Sequence, residues 1–210
     1  TLQSSSAASD VYKRQSLGFN TLEPPFDDTD LRRAINYAID RAQLVEIGWQ
    51  GAGKSTLLPF PDYPALRPYV SAVSDLIETS EIGVFDAEKS ARIMRAKGWE
   101  RARGEYWQKD GRPFRIIIDI FPIFNDLAPV LVAQLERAGF DADFRMTSDS
   151  YTRMAQGTAH AFMTGHGGSV RDPYFTLRLY HSRFVQPTGT SAEYFWRWPN
   201  ERYDRVVDQM

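Results

Sequence analysis

The sequence predicts an α/β fold in which a mostly parallel sheet is flanked by helices. Segments with strand and helix patterns alternate between residues 113 and 165, in the order strand, helix, strand, helix, strand. Residues 140–146 alternate apolar and polar side chains, as a strand with one buried face does. Residues 125–139 instead repeat apolar side chains at helical spacing and end at a glycine. Strands joined through helices run parallel with right-handed crossovers, which gives a layered α/β domain.

The first predicted helix lies before Gly48. Asp27 or Asp28 can cap its start, and Gly48 stands where a helix usually stops. Its buried stripe consists of apolar or small residues, namely Leu31, Ala34, Ile35, Ala38, Ile39, Ala42 and Val45.

The stretch GWQGAGKST, residues 48–56, matches the nucleotide-binding pattern G-x-x-x-x-G-K-[ST]. A phosphate-binding loop needs a strand before it and a helix that begins at its Lys-Ser pair. Here a helix precedes the loop, and Pro59, Pro61 and Pro64 follow it, where each proline disfavours a helix. We therefore predict a glycine-rich helix stop and loop, with a nucleotide-binding domain as the less favoured alternative.

The middle of the chain has less regular patterns. Residues 64–83 fit either a short helix or a strand, whereas residues 86–98 predict a clear helix that Asp86 caps and Gly98 ends. A small hairpin follows, with a turn signal at Lys109-Asp110-Gly111. The alternating region then supplies strands at 113–121, 140–146 and 159–165, with helices at 125–139 and 148–157, the latter capped by a Ser or Asp.

Composition excludes several classes of function. The chain has 210 residues and a net charge of −2, which gives no electrostatic case for binding nucleic acid or an anionic membrane. It contains no cysteine, so disulfides and thiolate metal sites are excluded. No stretch approaches the length of apolar residues that a transmembrane helix needs.

The two ends of the sequence suggest an internal fragment of a longer protein. Residues 1–15 are small and polar, then basic, and DVYKRQ within them looks like a translated transposon end. We expect this tail to be non-native or disordered. The C-terminus, RVVDQM, stops within an apparent helix. Residues 16–210 are expected to form part of one C-terminal lobe.

Seven stretches occur in the order found in a known family. They are PPFDDTDLRRAINYAIDR, GWQGAGKSTLLPFP, FDAEKSARIMRAKGW, DGRPFRIIIDI, VLVAQLERAGFDADF, DPYFTLRLYHS and FWRWPNERYDRVVDQM. Together, over roughly residues 18–210, they resemble the second lobe of the extracytoplasmic solute-binding proteins of ABC importers, in the peptide/nickel group called bacterial family 5.

This resemblance implies binding without catalysis. Such proteins hold a solute between two lobes that close by a hinge, and pass it to a membrane permease of the ABC type. It further implies a monomer in the periplasm or outside the cytoplasmic membrane, with a lipid anchor as one option, and with no cofactor. The glycine loop at 48–55 is structural in this family.

The resemblance also bears on the solute. Relatives that capture free dipeptides have an Asp a few residues before the Asp-Pro and an Arg after the long strand. Here Ser169 takes the first position, and the second loop, FPIFND, contains no Arg. Without these charges a zwitterionic dipeptide is disfavoured, because buried charges need partners. We expect an oligopeptide, or as the alternative an oligosaccharide.

The candidate ligand-binding residues lie in two loops and one aromatic segment. The loop after the last strand exposes backbone at its glycines, where open α/β sheets bind ligands. Aromatic rings can cover sugar or apolar groups, although packing inside the lobe is the competing interpretation. The candidates are Gly165, His166, Gly167, Gly168 and Ser169, together with Phe121, Phe124, Trp196 and Trp198.

Enzyme and metal functions have weaker support. The sequence contains no G-x-S-x-G elbow, no H-E-x-x-H and no cysteine nucleophile, and GHGGS lacks the serine elbow that a lipase oxyanion loop would serve. His160, His166 and His181 are irregularly spaced and have no carboxylate cluster beside them. We therefore predict neither catalytic nor metal-binding residues, and treat the histidines as loop residues.

Overall fold

A computed structural model describes residues 15–165 and 168–210. In the N-terminal half, the strand β1 (Gln15–Phe19) precedes the helices α1 (Thr29–Tyr37) and α2 (Arg41–Gln43), a π-helical turn (Leu44–Gly48), and the helices α3 (Arg67–Ala72), α4 (Ser74–Ser80) and α5 (Ala87–Ala96). The short strands β2 (Gln108–Lys109) and β3 (Arg112–Pro113) follow.

The C-terminal half supplies most of the main sheet. Its elements are β4 (Arg115–Asp119), a 3-10 turn (Pro122–Phe124), α6 (Ala128–Ala138), β5 (Asp141–Arg145), α7 (Ser150–Gln156), β6 (Ala161–Gly165), α8 (Tyr174–Leu177), two further 3-10 turns (Arg178–Tyr180 and Ser182–Phe184) and α9 (Glu201–Val207).

The main sheet has the strand order β1-β6-β4-β5. Strand β4 runs parallel to both β5 and β6, and β1 lies antiparallel on β6 at the edge. The predicted α/β class with a mostly parallel, helix-flanked sheet is therefore confirmed. Gln15, counted above with the tail, is the first residue of β1 and pairs with Gly165.

Alternation along the strands gives the sheet two different faces. One face carries the large core, in which Ile116 and Ile118 of β4 and Met163 of β6 pack against α1 and α6. The other face carries a small cluster of Met154, Phe162 and their aromatic neighbours. Because side chains alternate along β4, Asp119 points to this second face.

The predicted first helix is broken into three pieces, which corrects the single helix expected over 27–47. Helix α1 ends at Tyr37, and a new helical start follows at Asp40, whose carboxylate accepts from the N–H groups of Ala42 and Gln43. Gln134 of α6 holds the break, because its side chain accepts from Asp40 N–H at 3.0 Å and donates to Asp40 C=O at 3.0 Å. A contact 94 residues away thus overrides the local periodicity.

The glycine-rich loop behaves as predicted. The π-helical turn ends at Gly48, and no helix begins at Lys54; the next one starts at Arg67. A phosphate-binding loop therefore lacks both its strand and its helix here. The hairpin turn is also confirmed, with positive φ at Asp110 and Gly111.

The structure also decides two smaller expectations, one for residues 64–83 and one for the start of α7. Residues 64–83, left open between helix and strand, contain the short helices α3 and α4. The predicted side-chain cap of α7 is absent: Asp149 accepts no bond from the backbone of the helix and forms an ion pair with Arg153 instead.

Candidate functional site

The predicted loops lie together at the carboxyl ends of the parallel strands. The parallel strands β4, β5 and β6 all end there, and the antiparallel β1 begins there, with Gln15 opposite Gly165. The segments that follow the three parallel strands therefore lie at the same end of the sheet. We call this end, where β4, β5 and β6 terminate, the carboxyl edge. Open α/β sheets bind their ligands at this kind of edge.

The loop after β6 is only partly described. Gly165 is exposed at the end of the strand and Gly168 is half-buried, whereas His166 and Gly167 lie outside the described residues. Their role in binding a ligand stays a prediction.

Ser169 has a different role from the one predicted. It is 1% exposed, its N–H donates to Thr176 Oγ1 at 2.8 Å, and its Oγ accepts from Thr176 N–H at 3.0 Å. This reciprocal pair fixes the first turn of α8. The hydroxyl serves the fold, which corrects the expectation that it offers a hydrogen bond to a ligand.

The two phenylalanines after β4 also differ from each other. Phe124 is 2% exposed and belongs to the large core, because the 3-10 turn directs its ring beneath the loop. Its assignment to a ligand is therefore corrected to core packing. Phe121 is half-buried and contacts the rings of Tyr151 and Phe195, with centroids 6.3 and 6.4 Å away.

Sequence reasoning missed two aromatic residues around Phe121, and an exposed isoleucine in the turn after β4. Tyr151, on the first turn of α7, is 59% exposed and packs edge-to-face on Phe195 with a centroid distance of 5.5 Å. Ile123, in the turn after β4, is 45% exposed. The available signal was positional, because both Ile123 and Tyr151 follow the end of a parallel strand. Phe121, Tyr151 and Phe195, whose rings contact one another, form what we call the aromatic shelf of the carboxyl edge.

Trp196 packs in the same small cluster as the shelf rings Phe121 and Phe195, and Trp198 follows two residues later. Trp196 packs on Phe162 and Tyr180, and Trp198 packs on Tyr203. Both line a cavity of about 290 Å³ beside Gly18. Residues 196–198 form no strand, and Arg197 makes only an isolated bridge with Asn20. Packing within the lobe, the competing interpretation, describes Trp196.

The charges at the ends of β4 and β5 are paired with each other. Asp119, at the end of β4, is fully buried and accepts from Arg145 Nη2 at 2.6 Å, from Ser150 Oγ at 2.9 Å and from Arg153. Burial alone would raise the pKa of Asp119, but the hydrogen bonds from Arg145 and Arg153 outweigh it and leave the pKa lowered. The Asp119 carboxylate is therefore a buried ion-pair partner.

Metal-binding clusters and membrane-spanning helices are absent from the described residues. Within residues 15–165 and 168–210, no group of three or more His, Cys, Asp or Glu side chains is arranged to hold a metal ion. Over the same part of the chain, none of the helices has the length and apolar character to cross a membrane.

Comparison with known proteins identifies the family. Residues 5–186 match the model of bacterial extracellular solute-binding proteins, family 5 Middle. The chain belongs to this family, which comprises the solute-binding proteins of peptide and nickel ABC transport. The match begins within the segment that we expected to be a tail.

Individual relatives differ in their named ligands. Heme-binding protein A of Haemophilus influenzae is 30% identical over 92 residues, which is 43% of this chain and 15% of that protein. The structure of NikZ from Campylobacter jejuni with Ni(L-His) has a TM-score of 0.74 at 19% identity, and covers 93% of this chain. A mannohexaose-bound periplasmic oligopeptide-binding protein from Thermotoga maritima has a TM-score of 0.75 at 17% identity, and covers 94%. This chain spans 38% of each of those two structures.

Proposed function

We propose that this chain forms the ligand-facing part of one lobe of a protein that captures an oligopeptide for an ABC importer, without catalysis. The observation that carries the proposal is the aromatic shelf at the carboxyl edge, beside strand ends whose charges are already paired. An apolar shelf next to exposed backbone suits an extended chain whose side chains vary, because backbone groups give affinity and apolar surface tolerates many residues.

The pairing of Asp119 with Arg145 supports an uncharged ligand. An Arg that already shares a buried carboxylate gains less from a ligand carboxylate than an unpaired Arg does. A ligand without free charged ends is therefore favoured over a free dipeptide. We propose that the protein acts as a monomer outside the cytoplasmic membrane and passes its ligand to an ABC permease, with a lipid anchor as one option.

An oligosaccharide is the second candidate. The supporting observation is that aromatic rings dominate the shelf and that a relative of the same fold has mannohexaose bound. Nickel–histidine and haem appear in the names of other relatives and are the further ligands to include in a screen.

Calorimetry on the longest form of the protein that its gene encodes tests the proposal. The panel contains end-capped and free oligopeptides, a free dipeptide, mannohexaose, Ni(L-His) and haem, each at low and at high salt. We expect the capped oligopeptides to bind with an affinity that salt changes little, since few charges are screened. Exclusive binding of haem or of Ni(L-His) would refute the proposed ligand class.

A further inference from the structure

A cavity of about 930 Å³ lies on the face of the sheet opposite to the small cluster around Met154 and Phe162. It is bounded by β1, α1, α6 and the glycine- and proline-rich loop at 51–63. Ligand pockets in proteins commonly have volumes of about 300–1,000 Å³, so this space is large enough for a small organic molecule.

The inner wall of the cavity is apolar. Leu17 of β1, Met163 of β6 and Leu131 of α6 line it, and Ile35 of α1 and Ile39, just after that helix, complete the wall. Ile35 and Met163 are only 1% and 2% exposed, so they form part of the packed core beneath the cavity. Such a wall accommodates an aliphatic chain without leaving a polar group unpaired.

Positive charge surrounds this wall. Arg41, Lys54 and Arg32 line the cavity, and Asp62, the acidic residue among the described lining, is paired with Arg67 at 3.1 Å. Arg32 donates to the backbone carbonyls of Phe26 and Asp27. The cavity therefore has an excess of cations over carboxylates.

Arg41 and Lys54 are the cations best suited to a ligand. Arg41 donates to Asn36 Oδ1 at 2.6 Å and to Ile39 C=O at 3.5 Å, and forms no ion pair within the described part of the chain. Burial lowers the pKa of Arg41, since no carboxylate compensates for the lost hydration. Lys54 is exposed and likewise has no ion pair among residues 15–165 and 168–210. A half-buried guanidinium that is bonded only to neutral oxygens can still form an ion pair with an anionic ligand.

We propose that this cavity binds an amphiphilic monoanion, an aliphatic chain that ends in a carboxylate. The chain lies along Leu17, Ile39 and Leu131, and the carboxylate meets Arg41 and Lys54. This site is occupied independently of the oligopeptide at the carboxyl edge. It also gives the Lys54-Ser55 pair of the nucleotide-like motif a role in anion binding that needs no phosphate-binding helix.

The test uses decanoate below its micelle concentration, with 1-decanol as the neutral probe and decylammonium as the cationic probe. Calorimetry with the longest form of the protein should show one decanoate bound, and roughly tenfold weaker binding of decanol, because a hydrogen bond to a charged group contributes more than one to a neutral group. Arg41→Gln and Lys54→Met should each weaken decanoate and leave decanol unchanged. Arg103→Gln, an exposed substitution away from the cavity, is the matched control.

The possible outcomes separate this proposal from the proposed function. If Arg41→Gln fails to fold, the exposed Lys54→Met still tests the anion contact. Equal binding of decanoate and decanol, no binding of decanoate, or unchanged decanoate affinity in Lys54→Met overturns the amphiphile site. On the longest form of the protein, saturating decanoate should leave peptide affinity unchanged, and competition between the two would refute the independence of the sites.

Discussion

Asp119 and Arg145 form a buried-to-surface ion pair at the ends of adjacent parallel strands, with Asp119 Oδ2 2.6 Å from Arg145 Nη2. The Asp119 side chain is 0% exposed and the Arg145 side chain 38% exposed. Parallel pairing puts them opposite each other, because Asp119 is in register with Arg145. The pair therefore sets the electrostatic character of the edge at which we propose the ligand binds.

Asp119→Asn should destabilise the fold. The substitution leaves Arg153 and Arg145 without their shared carboxylate, and we expect a loss of about 3 kcal/mol, the lower end for a broken buried pair because Arg145 is partly solvated. Urea unfolding followed by circular dichroism measures the change. Asp126→Asn, at an exposed position, is the control and should change stability by less than about 0.5 kcal/mol. Equal stability of Asp119→Asn and the parent chain would contradict the assigned role.

The Asp119 carboxylate also makes the stability of the fold depend on pH, and the direction of the change can be predicted. Because the folded pKa of Asp119 is lowered, its stabilising contribution is complete above the unfolded value of about 3.9, and is lost as the pH falls through the folded pKa. The stability difference between the parent chain and Asp119→Asn should therefore be constant near neutral pH and shrink in acid. Unfolding measured over a pH series checks this, and a difference that grows in acid would refute the sign.

Arg197 is expected to be essential for folding. It is fully buried, and its Nη2 donates to the carbonyls of Ala155 at 2.7 Å and Thr190 at 2.9 Å, while Nε donates to Gln186 C=O at 3.1 Å. Arg197→Met leaves these buried acceptors unpaired, which should cost about 3 kcal/mol or more. Thermal unfolding measures the loss. Arg171→Met, at an exposed position, is the control, and an equally small effect at both positions would count against the assignment.

Gly157 is predicted to depend on Arg197. Its φ is +71°, and an added Cβ would lie 2.3 Å from Arg197 Nε, so Gly157→Ala meets both backbone strain and a clash. We expect Gly157→Ala to lower the melting temperature clearly, whereas Gly104→Ala, also at positive φ but with open space around its Cβ position, should lower it less. Equal losses would show that backbone strain alone acts at Gly157.

Much of the fold could be predicted from local patterns. The helix-strand alternation gave the parallel sheet, and the proline stretch correctly argued against a phosphate-binding helix after Lys54. The break in the first helix could not be predicted, because Gln134 causes it from 94 residues away. The oxygen of its side-chain amide accepts from the N–H of Asp40 and the nitrogen donates to the C=O of Asp40, and no short-range pattern records that contact.

The candidate site was predicted less completely than the fold. The carboxyl edge followed from topology, but which side chains face it depends on turn geometry. Phe121 and Phe124 look equivalent in the sequence, yet a 3-10 turn sends Phe124 into the core. Ser169 was chosen for its hydroxyl, which Thr176 engages. Tyr151 was not predicted, because in the sequence it looks like any exposed helical residue. Only the structure shows Phe121 and Phe195 beside it.

The most direct test of the central claim is calorimetry of an end-capped oligopeptide on the longest form of the protein, comparing the parent chain with Tyr151→Ala. Tyr151 is exposed, so its truncation should leave the fold intact, and Tyr69→Ala, an exposed tyrosine on α3, is the matched control. We predict that Tyr151→Ala weakens the peptide roughly tenfold, as loss of an aromatic contact in an interface does, while Tyr69→Ala has no effect. Unchanged peptide affinity in Tyr151→Ala, or tight and strongly salt-sensitive binding of a free dipeptide, would contradict the account.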